Sequence, residues 1–371
     1  MVILSMVLLI GVLLFAQRLI YGRYWDLRLG MRLSFSAREA FEGDRLFLQE
    51  ELTNEKPLPL PWVNAKFQIS RNLVFPGAEN FKVSDYYYQN DLFSVGMYQR
   101  VTRRQEFICR RRGYYRIRSM ELGSSNVLIS DKLIKRLDCD AELTVLPRAI
   151  PFSAMEPVYR QLYGDIEIRR FTNPDPFSFR GVREYDPRDD FRLINFSATA
   201  KTGDLIVNVR GATAAQEVVL LLNVEPYVAF PNEDVLEEGI RLAASAAGEF
   251  SRQGLLVGLL SNGRDVSTKA PVRVLSGGGD THVHGILERL ARIDLAAGQG
   301  RMCELLEEVR DPEPAYLLIS SNDDPDMARA FDRIRERGLR ARWLIPAIAS
   351  MKAQADVAGD ADISRWEMRI N

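Results

Sequence analysis

Histidine and cysteine are nearly missing from this chain: 371 residues include two histidines and three cysteines. Two histidines leave little material for acid–base or zinc chemistry. The thiols (Cys109, Cys139, Cys303) are an odd and sparse set, which excludes a disulfide framework and suits a reducing compartment. Net charge is also lacking, with 49 lysines and arginines against 50 acids, and −1 overall argues against a general nucleic-acid binder. Composition is otherwise ordinary, so disorder, collagen-like repeats and a multi-span membrane protein do not fit. The chain also has no Walker A loop, G-x-S-x-G, C-x-x-C or H-E-x-x-H. No catalytic constellation stands out, and Cys303 reads as a small apolar helix residue rather than a nucleophile.

What is there is unevenly distributed. At about 150 residues per domain, the length predicts two domains, each able to bury its own core. Residues 100–118 hold eight arginines against Glu106, a net of +7. Residues 304–326 hold eight acids against Arg310, a net of −7. The arginine run has two readings. It is a surface for anionic headgroups or an acidic protein face, or a solvated strand face whose alternation splits the charges.

Residues 1–22 read as a transmembrane anchor. Met1 to Gln17 carry no charge, and with Leu19, Ile20 and Tyr21 they form an apolar stretch of about 20 residues, the length that crosses ~30 Å of hydrocarbon. Tyr21, Tyr24 and Trp25 stand where an interfacial aromatic belt is expected, and Arg18, Arg23, Arg28 and Arg32 follow the span. That order predicts a single-pass protein of the cell membrane with its soluble domains in the cytoplasm. A cleaved signal peptide is the competing reading, weakened by the missing basic n-region. Because the span starts at Met1, a further helix upstream is an open alternative.

Residues 23–148 predict an antiparallel β-sandwich. Trp25, Leu27, Leu29, Met31, Leu33 and Phe35 alternate with polar or small residues, and Val63, Ala65, Phe67 and Ile69 do so again. Residues 149–212 form a polar motif segment expected to pack on the next domain. It is dense in charge yet rich in aromatics, so it is not a disordered linker. Arg183, Glu184, Asp190 and Arg192 are candidates for mutual pairing, either as a recognition site or as a structural ion-pair cluster. Residues 213–349 alternate β and α, with the apolar run 217–222 as a buried strand, which predicts a doubly wound, mainly parallel sheet. Residues 350–371 read as a C-terminal tail.

The stretch Arg180-Gly181-Val182-Arg183-Glu184-Tyr185, followed by Asp189, Asp190, Arg192, Ile194 and Ala198-Thr199-Ala200-Lys201-Thr202-Gly203, resembles the hallmark of a bacterial family, the domain of unknown function 58. The family pattern runs R-G-x-R-E-Y-x-P-G-D-x-x-R-x-I-H-W-K-A-T-A-R. This chain places Arg188 at the Gly, Asn195 at the His, Phe196 at the Trp and Ser197 at the Lys.

The resemblance implies a membrane-anchored chain with a von Willebrand type A-like region. It also implies a MoxR-type AAA+ ATPase as partner, with ATP hydrolysis belonging to that partner, and in some cases a transglutaminase-like membrane protein. The corresponding function is a non-enzymatic scaffold or assembly protein. The alternative is a metal-dependent adhesion-type binder, or a hydrolase using the 180–203 motif. Type A domains carry D-x-S-x-S after the first strand, where this chain reads Asn223-Val224-Glu225-Pro226-Tyr227. Asn223, Glu225, Tyr227, Thr281 and Asp323 are therefore expected to line a degenerate metal-site edge. Its ligand set is incomplete, which predicts no metal and no cofactor, with a divalent ion as the alternative. Asp280, His282 and His284 could be ligands on a strand face, or the start of a helix after Gly277-Gly278-Gly279.

Overall fold

The apolar amino-terminal run forms helix α1 (Val2–Tyr24) in a computed structural model of the chain. The structure describes residues 2–76, 86–125, 132–151, 179–186, 189, 191–210, 216–226, 232–296, 300–348, 360 and 362–368. The chain divides into two compact units, 1–148 and 149–371. Within α1, Ile3–Tyr24 is long and apolar enough to cross a membrane. The aromatic-belt expectation is corrected here. Tyr21 and Trp25 are each only 5% exposed, packed with Leu29, Leu52, Leu60, Val63 and Phe93. The Tyr21 hydroxyl donates to the Pro59 carbonyl oxygen at 2.8 Å. Only Tyr24 of the three faces outward.

The first unit is a two-sheet sandwich. One sheet orders its strands β1 (Leu29–Phe35), β3 (Arg45–Asn54), β7 (Arg100–Cys109) and β5 (Leu73–Val74). The other orders β2 (Glu39–Phe41), β9 (Lys132–Leu146), β8 (Gly113–Ser125), β4 (Leu60–Ser70) and β6 (Tyr86–Val95). Pairing is antiparallel except for β2 against β9. Alternation sends Leu48 and Phe107 from one sheet, and Phe67, Met120 and Leu143 from the other, into a shared core.

The same alternation breaks up the arginine run. Arg103 points inward to Asp91 at 2.9 Å, whereas Arg116 bonds Asp140 and Glu142 on the neighbouring strand at 2.8 and 3.0 Å. Arg110–Arg112 lie in the β7–β8 turn, at the end of the sandwich opposite the foot of α1. The run is therefore not one continuous cationic surface.

In the second unit, β10 (Phe179–Glu184) and β11 (Ile206–Arg210) pair as an antiparallel ribbon enclosing a 3₁₀ turn (Phe191–Leu193) and helix α2 (Phe196–Thr202). The main sheet follows. It orders β14 (Pro271–Gly277), β13 (Leu256–Asp265), β12 (Glu217–Leu222), β16 (Ala315–Ile319), β17 (Arg340–Ala347) and β18 (Ile363–Glu367), with β15 (Ile293–Asp294) also on β13. Val218, Leu220 and Leu222 of β12 pack against α3 (Glu233–Arg252) and α4 (Asp280–Ala291). Val219 and Leu221 face the other way, with α5 (Met302–Glu308) and α6 (Pro325–Glu336). Burial on both faces explains the unbroken apolar run.

The sheet is mainly parallel with an antiparallel edge, and one expectation, the C-terminal tail, is corrected. Strand β14 runs antiparallel to β13, because a short connection returns the chain along the same edge. The stretch 350–371 is not wholly a tail: Ile363–Glu367 extends the sheet parallel to β17, and Trp366 donates from Nε1 to Glu238 of α3 at 3.0 Å. Arg342 and Arg335 hold Asp362 at 2.8 and 2.9 Å.

Candidate functional site: the strand ends and the polar motif

Three neighbouring parallel strands each run from apolar residues straight into buried polar ones. Asn223 follows β12, Ser261 and Asn262 lie in β13, and Ser320, Ser321 and Asn322 follow β16. This is the carboxyl edge of the sheet, where open α/β folds place ligands. Here the polar groups bond to one another. Asn223 Oδ1 accepts from Asn262 Nδ2 and from the Glu225 amide, both at 2.8 Å, while Asn223 Nδ2 donates to Ser320 Oγ at 2.9 Å. Asn262 Oδ1 accepts from the Val224 amide at 2.9 Å, and Ser261 Oγ donates to the Leu222 carbonyl at 2.8 Å. The Glu225 carboxylate takes the Met302 amide at the start of α5 at 3.3 Å, and Asp324 caps α6 through the Met327 amide at 2.7 Å.

These donors do not fit a divalent ion. Asn223 is neutral where a type A site supplies an aspartate, and its carbonyl oxygen already accepts two hydrogen bonds. The nearby carboxylates Glu225 and Asp324 are turned to helix amides. Asn223 and Asp323 are 3% and 7% exposed, so neither side chain presents itself to a partner. Beside this edge, Cys303 lines a surface groove with Arg301, Glu304, Asp326 and Arg329. Burial raises its thiol pKa, and Asp324 and Glu225 raise it further, which makes a poor nucleophile.

Thr281 does not join Asn223, Glu225 and Asp323. Because β14 is antiparallel, its end Gly277 pairs with Val257 at the beginning of β13, so the glycine run and the start of α4 sit at the opposite edge of the sheet. His282 bonds the Val257 carbonyl there at 2.7 Å, and Gly279 rather than Asp280 or Thr281 is the N-cap of α4. Tyr227 lies outside the described residues.

Among the described residues of the polar motif, Arg183 and Asp189 form a two-pronged pair. Arg183 donates from both terminal nitrogens to the two oxygens of Asp189 at 2.6 Å, and Asp189 also accepts the Asp186 amide at 2.9 Å. The Arg183 guanidinium, then the Asp186 amide, hold the Asp189 carboxyl below its usual range. Among the described residues the carboxylate partner of Arg183 is thus Asp189, and Glu184 meets Arg183 only through its backbone carbonyl, at 3.0 Å. Glu184 and Lys201 point outward, as does Arg192, while Gly181 and Tyr185 are half-buried. Asp190 lies outside the described residues, and of Arg180 only its place in β10 is described.

Asn195 occupies the family's histidine position and caps α2. Its Oδ1 accepts the Ala198 amide at 3.0 Å, and its Nδ2 donates to Asn208 at 2.7 Å. Gly203 closes the same helix in a left-handed conformation (φ 83°), its amide on the Thr199 carbonyl. Around this frame Val182, Phe191 and Phe196 are 49%, 71% and 76% exposed. The residues that sequence reasoning missed are Ser261, Asn262, Ser320 and Asn322. Their signal is an apolar strand ending in Ser or Asn three times over.

Fold and site together define a helix-flanked, largely parallel sheet whose carboxyl edge is tied by buried amides, preceded by a salt-bridged ribbon. Residues 181–339 match the family described as "Protein of unknown function DUF58", the family that the motif at 180–203 resembles. No curated protein matches the chain. Among solved structures, the CARDB domain of a Pyrococcus furiosus protein aligns at 10% identity and TM-score 0.23, over 32% of this chain and 96% of that one. A PapD-like domain of human CEP192 aligns at 14% identity and TM-score 0.20, over 32% and 86%. A cohesin from Archaeoglobus fulgidus aligns at 8% identity and TM-score 0.21, over 31% and 91%.

Proposed function

We propose that the protein is a non-enzymatic, membrane-anchored scaffold whose second unit is a von Willebrand type A-like domain. In this reading α1 crosses the cell membrane once, both units lie in the cytoplasm, and the partner is a MoxR-type AAA+ ATPase. A transglutaminase-like membrane protein is a further candidate from the same resemblance. The anchor is supported by the apolar helix with arginines at its carboxyl end.

The observation that carries the scaffold reading is the self-bonded strand edge. Asn223, Asn262 and Ser320 spend their polar atoms on one another, which fixes the shape of the edge rather than presenting reactive groups. The partner-facing surface is then built on the exposed Phe191, which touches Tyr185 two residues from Arg183, with Val182 and Phe196 as further exposed apolar side chains of the same segment. Affinity purification of the full chain from membranes, read by mass spectrometry, tests this. Specific recovery of an AAA+ ATPase is expected, and repeated recovery of no specific partner would sink the reading.

A further inference from the structure

The foot of α1 locates one end of the sandwich against the membrane, and this inference rests on the proposed reading of α1 as a span. A hydrocarbon core of ~30 Å takes up about 20 helical residues, which from Val2 ends close to Tyr21. Tyr21 and Trp25 are already inside the sandwich core, so no spacer separates bilayer from sandwich.

The strand registers show what else lies at that end. Leu29 pairs with Asn54, Leu60 with Val95, Val63 with Ser124, and Ser125 with Lys132. Two turns close it. The turn after β3 holds the helix foot through Pro59, and the β6–β7 turn is tied to it. Tyr98 donates its amide to the Lys56 carbonyl at 3.2 Å, and Asn54 Nδ2 bridges the Leu58 and Gly96 carbonyls at 2.9 and 2.7 Å.

At the tip of this second turn stand Met97, 62% exposed, and Tyr98, 70% exposed. Two large apolar side chains at a hairpin tip run against the usual polar turn chemistry. Tyr98 also adopts a left-handed φ of 49°, uncommon for a residue other than glycine. The same end exposes Tyr24, Leu27 and Ile134. Its outward cations include Arg23, Arg28 and Arg100, and Glu55 is an exposed acid there. Amphipathic aromatics, aliphatics and arginines at one level are the composition of a membrane interface.

We propose that this end of the first unit is a lipid-contact surface: Met97 and Tyr98 enter the headgroup–acyl boundary beside α1, and Arg23 and Arg28 face anionic headgroups. The bilayer is the occupant because the exposed tip is hydrogen-bonded to the turn that grips the last helical turn of the span. Tyr88, 73% exposed on the same hairpin, is the internal contrast. It lies seven residues before Val95, roughly 20 Å further along β6.

The test reconstitutes the full chain in phosphatidylcholine–phosphatidylglycerol vesicles with an environment-sensitive dye at Tyr98→Cys, Met97→Cys or Tyr88→Cys. Cys139→Ser and Cys303→Ser remove the more accessible thiols, and Cys109 is fully buried. Lipids brominated near the headgroup end of the chains should quench the labels at 97 and 98 severalfold more than the label at 88. Equal, weak quenching at all three positions in a chain that resists alkaline extraction would overturn the lipid contact and leave the anchor standing. Release of the chain by alkaline extraction would overturn the anchor, and the lipid contact with it.

Discussion

Asn262 donates from Nδ2 to Oδ1 of Asn223 at 2.8 Å, so that one buried carboxamide holds another between adjacent parallel strands. An amide can give and receive at once, and Asn223 does both, passing the network on to Ser320. A carboxylate at the same place could only accept. The identity of residue 223 thus decides between a cross-strand tie and a charged ligand position.

Asn223→Asp tests this directly. The new carboxylate would lose the donor to Ser320 and place a charge at a site 3% exposed. We expect a loss of about 2–4 kcal/mol, the range for an unpaired buried charge or a broken polar network. Thermal melts with and without magnesium or manganese are the measurement. Melting temperatures unaffected by either ion are expected, whereas a rise with metal in the variant alone would show a cation cage short of one charge.

The sandwich should be least stable near pH 8. Glu50 is fully buried, with the Asp91 carboxylate as its acidic neighbour. Burial first, then Asp91 on β6, push its carboxyl from 4.5 up to about 8, against the opposing pull of Arg103 on β7. The folded state therefore binds the extra proton between those values, and stability falls as pH rises through them. Lys56 is 4% exposed, and burial lowers its pKa from 10.5 to about 8, with Lys135 adding to the shift and Asp26 opposing it. Above pH 8 the unfolded state is the one that holds more protons, so stability climbs again up to the unfolded value. Denaturant titrations of the full chain across this range should trace a minimum. Glu50→Gln should flatten the acid side and Lys56→Met the alkaline side, each adding about 1–3 kcal/mol at the minimum. A wild-type profile that is level from pH 4.5 to 10.5 would refute the assignment.

Much of this architecture is legible in the residues, and the exceptions have physical reasons. Alternation in 29–35 and 63–69 reports half-buried strands, and the run 217–222 reports a strand covered on both faces. Strand direction leaves no such mark. Val272 to Leu275 reads as a strand either way, and the turn before it sends Thr281 to the far edge of the sheet. The edge strand 363–367 (ISRWE) carries as much charge as a tail would, and only its pairing with β17 reveals it. Tyr21 and Trp25 suit an interface and a core equally, since each has an apolar body and one polar atom. The amide tie was written in the text as three apolar strands ending in Ser or Asn, a recurrence visible only when the strands are compared.

Trp25→Ala separates those two roles of an aromatic. A belt residue contributes to membrane positioning and little to folding. A ring 5% exposed among Leu52, Leu60 and Phe93 contributes to the core. Its removal from the detergent-solubilised full chain should cost about 3–5 kcal/mol of stability in the first unit. Tyr24→Ala, at a position 49% exposed, should leave the melting transition within about 0.5 kcal/mol of wild type. Equal effects of the two substitutions would return Trp25 to the belt.

The exposed aromatics of the motif offer the complementary measurement. Phe191 touches Tyr185, ring centres 5.7 Å apart, yet remains 71% exposed, and Phe196 is 76% exposed in the first turn of α2. Neither ring fills a core, so Phe191→Ser and Phe196→Ser should change stability by no more than about 0.5–1 kcal/mol. Arg183→Ala breaks an exposed, solvent-screened pair, so this variant should melt close to wild type. If this surface meets a partner, the two serine variants will lose recovery of that partner from membranes while melting as the wild type does, because buried aromatic anchors dominate interface energies. Arg183→Ala should weaken recovery less, acting at the polar rim. Unchanged recovery in all three folded variants would place the contact elsewhere on the second unit, and the self-bonded strand edge with its neighbouring groove at Arg301 and Arg329 would be the next surface to alter.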